Sequence, residues 1–158
     1  MWILRGLVLL SVTFAAMPGK ANDRHAGYYF PKPVTSEVYR PRTRKMIGAN
    51  KQARIAFVTN ITNSMRNKAA NPPQYAIFSK GVRQEKLIIV GTRDDAYNTI
   101  FRARALLEQL TAVARTTRII QEQKKPGNLT FLDLLKLMGF EQVTISDGKS
   151  FSHQITIR

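Results

Sequence analysis

The sequence predicts an α+β two-layer sandwich: about five strands in one sheet, two or three helices on one face, and a C-terminal β-hairpin. Three observations carry this expectation. Leu87-Ile-Ile-Val90 is apolar on both faces, as an interior strand is. Tyr97, Ile100, Phe101, Ala103, Leu107, Leu110, Val113 and Ala114 recur at three-and-four spacing, the stripe of a helix laid on a sheet. Val143 and Ile145, then Phe151, His153, Ile155 and Ile157, alternate as two strands do.

In chain order, Ile55-Ala-Phe-Val58 reads as a short buried strand that opens the regular domain near Arg54, followed by a helix around Thr62–Ala69. Pro72-Pro73 forces a break. Tyr75-Ala-Ile-Phe78 is the second strand, with a turn from Ser79, and Leu87–Val90 is the third. Asp94 or Asp95 is placed to cap the long helix and suits its dipole. Lys124-Lys125-Pro126-Gly127-Asn128 is an exposed turn. Thr130 with Asp133 three residues on resembles a capping box, with Asp in place of the usual Glu or Gln, and Phe131–Met138 forms a short helix stopped by Gly139. For the hairpin, a three-residue loop of Ser146-Asp147-Gly148 pairs Val143 with Phe151 and keeps both apolar sets on one face, with Gly148 in the left-handed position.

The N-terminus carries an address. Arg5 precedes the apolar run Gly6–Met17, and Gly19 and Ala21 supply small residues at a cleavage site, the layout of a secretory signal cut after Ala21. The apolar core of about 12 residues falls short of the roughly 20 that span a bilayer. The expected location is the periplasm, with an uncleaved inner-membrane anchor as the alternative. A mitochondrial presequence would need several arginines where the first nineteen residues hold only Arg5. The chain thus divides into a signal (1–21), an extended basic and aromatic arm (22–53) and one α+β domain (54–158). Pro31, Pro33 and Pro41 keep the arm irregular, while Tyr28, Tyr29, Phe30 and Tyr39 make it too aromatic for a plain linker. These rings either wrap onto the domain or form a docking strand.

Charge is the strongest compositional signal. Removing residues 1–21 takes away Arg5 and Lys20 and leaves 23 Lys and Arg against 10 Asp and Glu, a net charge of about +13. Residues 38–84 hold ten cations and no carboxylate. Arg40, Arg42, Arg44, Lys45, Lys51 and Arg54 are the candidate anion-binding set, and an anionic envelope surface or an acidic protein is the candidate partner. Nucleic acid would use the same residues, but there is no recognition helix, zinc spacing or RNA-binding aromatic signature, and export removes the opportunity. With no cysteine in the chain, thiol chemistry and cysteine-ligated metals are excluded, and a small secreted disulfide scaffold is disfavoured.

Catalytic signals are poor. His25 and His153 are the two histidines, and His153 shares a face with Phe151 and Ile155, as a hydrogen-bonded core histidine does. Asp94-Asp95 reads as capping before it reads as an acid/base pair. Val90-Gly91-Thr92-Arg93 is only a single-glycine hint of an anion site. No catalytic residue, metal site or cofactor is expected. A small periplasmic hydrolase or transferase near Asp94, Asp95 and His153 is the alternative class, and a nucleic-acid binder is another if the N-terminus is no export signal.

Several phrases carry a resemblance: Asp23-Arg-His-Ala-Gly-Tyr-Tyr29, Glu85-Lys-Leu-Ile-Ile-Val-Gly91, Leu110-Thr-Ala-Val-Ala-Arg-Thr-Thr117, Thr130-Phe-Leu-Asp-Leu-Leu-Lys-Leu-Met-Gly-Phe140, and Ser146-Asp-Gly148 before Phe151-Ser-His-Gln154. The chain resembles a group of small exported alphaproteobacterial proteins of unknown function. Some relatives carry a molybdopterin-guanine dinucleotide biosynthesis label. That nucleotidyltransferase family opens on a glycine-rich loop with Arg and Lys, absent here, so no catalytic residue carries over. Together these observations predict an exported, non-enzymatic accessory protein that meets an anionic partner through its basic arm.

Overall fold

Period-two and continuous apolar runs produce the sheet, and the three-and-four stripes produce the helices that cover it. A computed structural model describes residues 32–68, 73–93 and 95–158. In chain order these form β1 (Thr35–Tyr39), α1 (Lys51–Lys68), β2 (Tyr75–Lys80), β3 (Lys86–Gly91), α2 (Ile100–Arg115), a single turn α3 (Arg118–Gln121), a 3-10 turn (Pro126–Asn128), α4 (Phe131–Leu137), β4 (Gln142–Ser146) and β5 (Ser152–Ile157). The five strands lie in the order β1-β5-β4-β3-β2. β1 runs parallel to β5 and β3 parallel to β4, while β2–β3 and β4–β5 are antiparallel. The chain is an α+β protein, and β3 is an interior strand.

One sheet face makes the core. Ile77, Leu87, Ile89, Val143, Ile145, Ile155 and Ile157 share it and pack with Val58 of α1, Leu106, Leu107 and Leu110 of α2, and Phe131, Leu134 and Leu135 of α4. Phe140 is fully buried, its ring 5.8 Å from that of Phe57. Burying a side chain of this kind contributes on the order of 2–3 kcal/mol.

Four local expectations change. Ile55–Val58 is helical, lying inside α1. Ala53, Arg54, Phe57, Val58, Ile61 and Met65 follow helical spacing, Asn50 Oδ1 accepts the Ala53 N–H at 2.9 Å, and a four-residue apolar run cannot by itself distinguish the two periods. The first strand comes instead from the arm. Thr35–Tyr39 is an edge strand flanked by Pro33 and Pro41, a position proline tolerates.

The cap of α2 is Thr99, whose hydroxyl accepts the Arg102 N–H, and not Asp94 or Asp95. The buried stripe is rotated with it: Leu106 and Thr111 face in, while Phe101 and Val113 are 80% and 63% exposed.

The hairpin pairs Val143 with Ile155 and Ile145 with His153, leaving a five-residue loop, Asp147–Phe151. The predicted face holds because the register differs by an even step. The loop is set by Asp147 Oδ1, which accepts N–H bonds from Lys149, Ser150 and Phe151 at 2.8–3.0 Å. Gly148 does take the left-handed region, at φ 76°.

Candidate functional site

The basic segment meets the domain at the two ends of α4, and each end fixes it through one buried charged side chain. At the start, Thr130 and Asp133 form the expected capping box. The Asp133 carboxylate is fully buried and reaches further than a cap. It accepts the Tyr39 hydroxyl at 2.9 Å and the Arg42 backbone N–H at 2.6 Å, besides the Thr130 N–H at 2.9 Å. The Thr43 hydroxyl donates to the Asp133 carbonyl at 2.9 Å. Burial first, then the Asp133 carboxylate, raises the Tyr39 hydroxyl above the ordinary tyrosine value against the opposing effect of the Thr130 hydroxyl. Tyr39 is therefore held by its hydroxyl in the fold. Arg42 is exposed but its guanidinium donates to the Asn128 carbonyl.

At the other end of α4, the predicted anion-binder Arg54 is only 4% exposed. Its guanidinium donates to the carbonyls of Ala49 (3.0 Å), Met138 (3.4 Å) and Arg83 (2.7 Å from one terminal nitrogen, 3.1 Å from Nε). Gly139 sits beside it at φ 77°, where a Cβ would come within 2.8 Å of the guanidinium and 3.2 Å of the Ala49 carbonyl. Arg54 thus binds the arm, the β2–β3 turn and the end of α4 to one another, and is not part of an anion-facing surface. A buried guanidinium is tolerated because its donors meet carbonyls left over at turns and at a helix end.

The remaining members of the set are free. Arg40, Arg44, Lys45 and Lys51 are all exposed, and none of their side chains makes a hydrogen bond or ion pair among the described residues. Lys51 occupies the first position of α1, whose first turn holds no acidic residue. A cation there opposes the helix dipole by a few tenths of a kcal/mol, and together with that dipole it makes this end attractive to anions. Tyr28, Tyr29 and Phe30, the signal at 1–21 and His25 lie outside the described residues.

Of the groups weighed for catalysis, Asp95 and His153 are described and are not brought together. His153 is 1% exposed on the helix-covered face, with Nδ1 2.8 Å from the Thr35 hydroxyl. Its Nε2 lies 3.3 Å from Glu37 Oε1, ion-pair range for a protonated ring, but off hydrogen-bond alignment. Glu37 also takes a 3.0 Å bond from Arg104. Burial works against its charge, yet Arg104 and His153 together hold its carboxyl below the usual glutamate value. Asp94 lies outside the described residues. Asp95 lines an open cavity of about 410 Å³ with Gln74, Arg93, Tyr97, Arg102 and Gln109, to which His153 contributes nothing. Among the described residues no cluster of three His, Asp or Glu side chains is placed to hold a metal ion, and no helix is long and apolar enough to cross a membrane.

Sequence reasoning missed the reach of Asp133 into the arm and the inward turn of Arg54. The unusual Asp of the capping box and the glycine that stops α4 were the available signals. No protein-family model, curated protein or solved structure matches this chain.

Proposed function

We propose that this is a non-enzymatic binding protein that engages an anionic partner through the free half of its basic segment, Arg44, Lys45 and Lys51, with Arg40 at the margin. The observation that carries this reading is the division of the segment. Cations whose donors the fold uses point inward or onto carbonyls, and those left over are exposed on a backbone held at both ends. A cation set on a fixed backbone meets an anionic surface without paying to order the loop first. An acidless run from 38 to 84 supports the same reading, because nothing in it neutralises the set from within. Export to the periplasm, where the candidate partners are envelope surfaces and acidic proteins, belongs to this proposal.

Retention on immobilised heparin, used as a generic polyanion, tests it. The triple variant Arg44→Glu, Lys45→Glu, Lys51→Glu is compared with an equal reversal elsewhere, Arg66→Glu, Lys124→Glu, Arg158→Glu. The first should elute at much lower salt than the second, with the melting temperature of both unchanged. Equal losses from the two triples would mean that net charge alone is at work and would overturn the assignment.

A further inference from the structure

Exposed aliphatic side chains gather on the elements that Arg54 binds together. Met46 and Ile47 lie just before α1, Ile55 at the start of its second turn, and Val82 in the β2–β3 turn. Single exposed aliphatics are ordinary on protein surfaces. These differ in their arrangement. Ile47 is completely exposed and Val82 is 90% exposed, each at the tip of a turn. The Ala49 carbonyl, two residues after Ile47, and the Arg83 carbonyl, one residue after Val82, are both bonded to the same guanidinium. One buried side chain therefore holds two apolar tips on the same end of the molecule.

Cations surround these tips. Arg44, Lys45, Lys51 and Lys86 are exposed, and their side chains make no hydrogen bond or ion pair among the described residues. The acidic residues of this end are Glu85 and Glu141, and both are engaged by Arg83: Glu85 accepts its backbone N–H at 2.9 Å, and Glu141 pairs with its guanidinium at 2.9 Å. The start of α1 adds the positive end of an 18-residue helix.

We propose that this end of the protein docks on an anionic lipid bilayer. Ile47 and Val82 enter the boundary between headgroups and acyl chains, and Arg44, Lys45, Lys51 and Lys86 lie against lipid phosphates. This rests on the anion-facing reading above and narrows its partner. Convexity selects lipid over an acidic protein. Two protruding tips with cations beside them suit a surface that yields around them, whereas a folded partner would need two pits at matching spacing. The magnitudes agree with reversible docking, since each cation near an anionic membrane strengthens binding roughly fivefold and each aliphatic side chain buried roughly tenfold or more.

Co-sedimentation of the full chain with phosphatidylcholine vesicles, with and without phosphatidylglycerol, tests the proposal beside heparin retention. The apolar run in residues 1–21 favours both vesicle types, and Arg5, Lys20, Arg24 and Lys32 add their own preference for anionic lipid, so the basic end is read from parent and variant compared on the same vesicles. Phosphatidylglycerol should strengthen binding over phosphatidylcholine alone, and that increment should shrink as salt rises. The double variant Ile47→Ser, Val82→Ser should bind those vesicles at least tenfold more weakly, with heparin elution and melting temperature unchanged. Undiminished vesicle binding by this variant would overturn the insertion. Retention on heparin without any preference for phosphatidylglycerol would overturn the lipid assignment while leaving the anion-facing reading standing. Failure on both supports would remove both.

Discussion

The two ends of α4 handle the basic segment in opposite ways. At its start, a buried carboxylate, Asp133, gathers donors from the arm, and Tyr39, Arg42 and Thr43 are tied into the fold. At its end, a buried guanidinium, Arg54, gathers carbonyls, and the cations Arg44, Lys45 and Lys51 keep their side chains outside. Backbone polarity explains the contrast. The first end leaves N–H groups to satisfy, and an acid satisfies them. The second leaves C=O groups, and a base satisfies those. A run of cations that looks uniform in sequence therefore has two members that are structural, Arg42 and Arg54, and four that are available.

Substitutions that remove either anchor should break this contrast most severely. Asp133→Ala strips the cap of α4, strands the Arg42 N–H and leaves the Tyr39 hydroxyl only its 2.9 Å bond to the Thr130 hydroxyl, and should cost about 3–4 kcal/mol in denaturant unfolding. Arg54→Met keeps the aliphatic stem but leaves three turn carbonyls without their donor, and should cost about 2–3 kcal/mol by the same measurement. Gly139→Ala should cost about 1–2 kcal/mol, since it combines a left-handed backbone with a Cβ pressed on the guanidinium.

Away from α4, Asp147 offers a control with a defined pH signature. Burial alone would raise its carboxyl, but the N–H groups of Lys149, Phe151 and Ser150 hold it below the ordinary aspartate value. A depressed folded value adds stability that is present above the unfolded value, near pH 4, and is lost as pH falls through the folded one. Asp147→Asn should therefore cost about 1 kcal/mol at pH 7 and show a shallower loss of melting temperature on acidification than the parent. The smallest change in stability is expected for Arg44→Glu, Lys45→Glu, Lys51→Glu, within about 0.5 kcal/mol of the parent, because none of the three is bonded and Lys51→Glu suits the helix dipole.

Much of this architecture was legible in the sequence, for reasons specific to each element. Leu87–Val90 and the Thr130/Asp133 cap carry both pattern and punctuation, and each forms where expected. The strand count held although one strand was misplaced. Thr35–Tyr39 alternates with little hydrophobicity because it is an edge whose outer residues, Ser36 and Val38, face solvent, so its pairing with β5 is a long-range decision. Ile55–Val58 shows the converse, a local apolar run whose period only the wider window resolves. The hairpin register turned on Asp147, whose three N–H bonds favour a longer loop than Gly148 alone would suggest. At the candidate site, charge was readable but direction was not. Nothing local to Arg54 distinguishes it from Lys51, and only the arrival of carbonyls from the arm, the β2–β3 turn and the end of α4 turns it inward.

The most direct test of this division is a paired measurement of melting temperature and heparin elution salt on Asp133→Ala and on the Arg44/Lys45/Lys51 reversal. The account predicts opposite losses: a lower melting temperature with retained elution for the first while it stays folded, and early elution with a retained melting temperature for the second. A reversal triple that melts as early as Asp133→Ala yet elutes with the parent would contradict it.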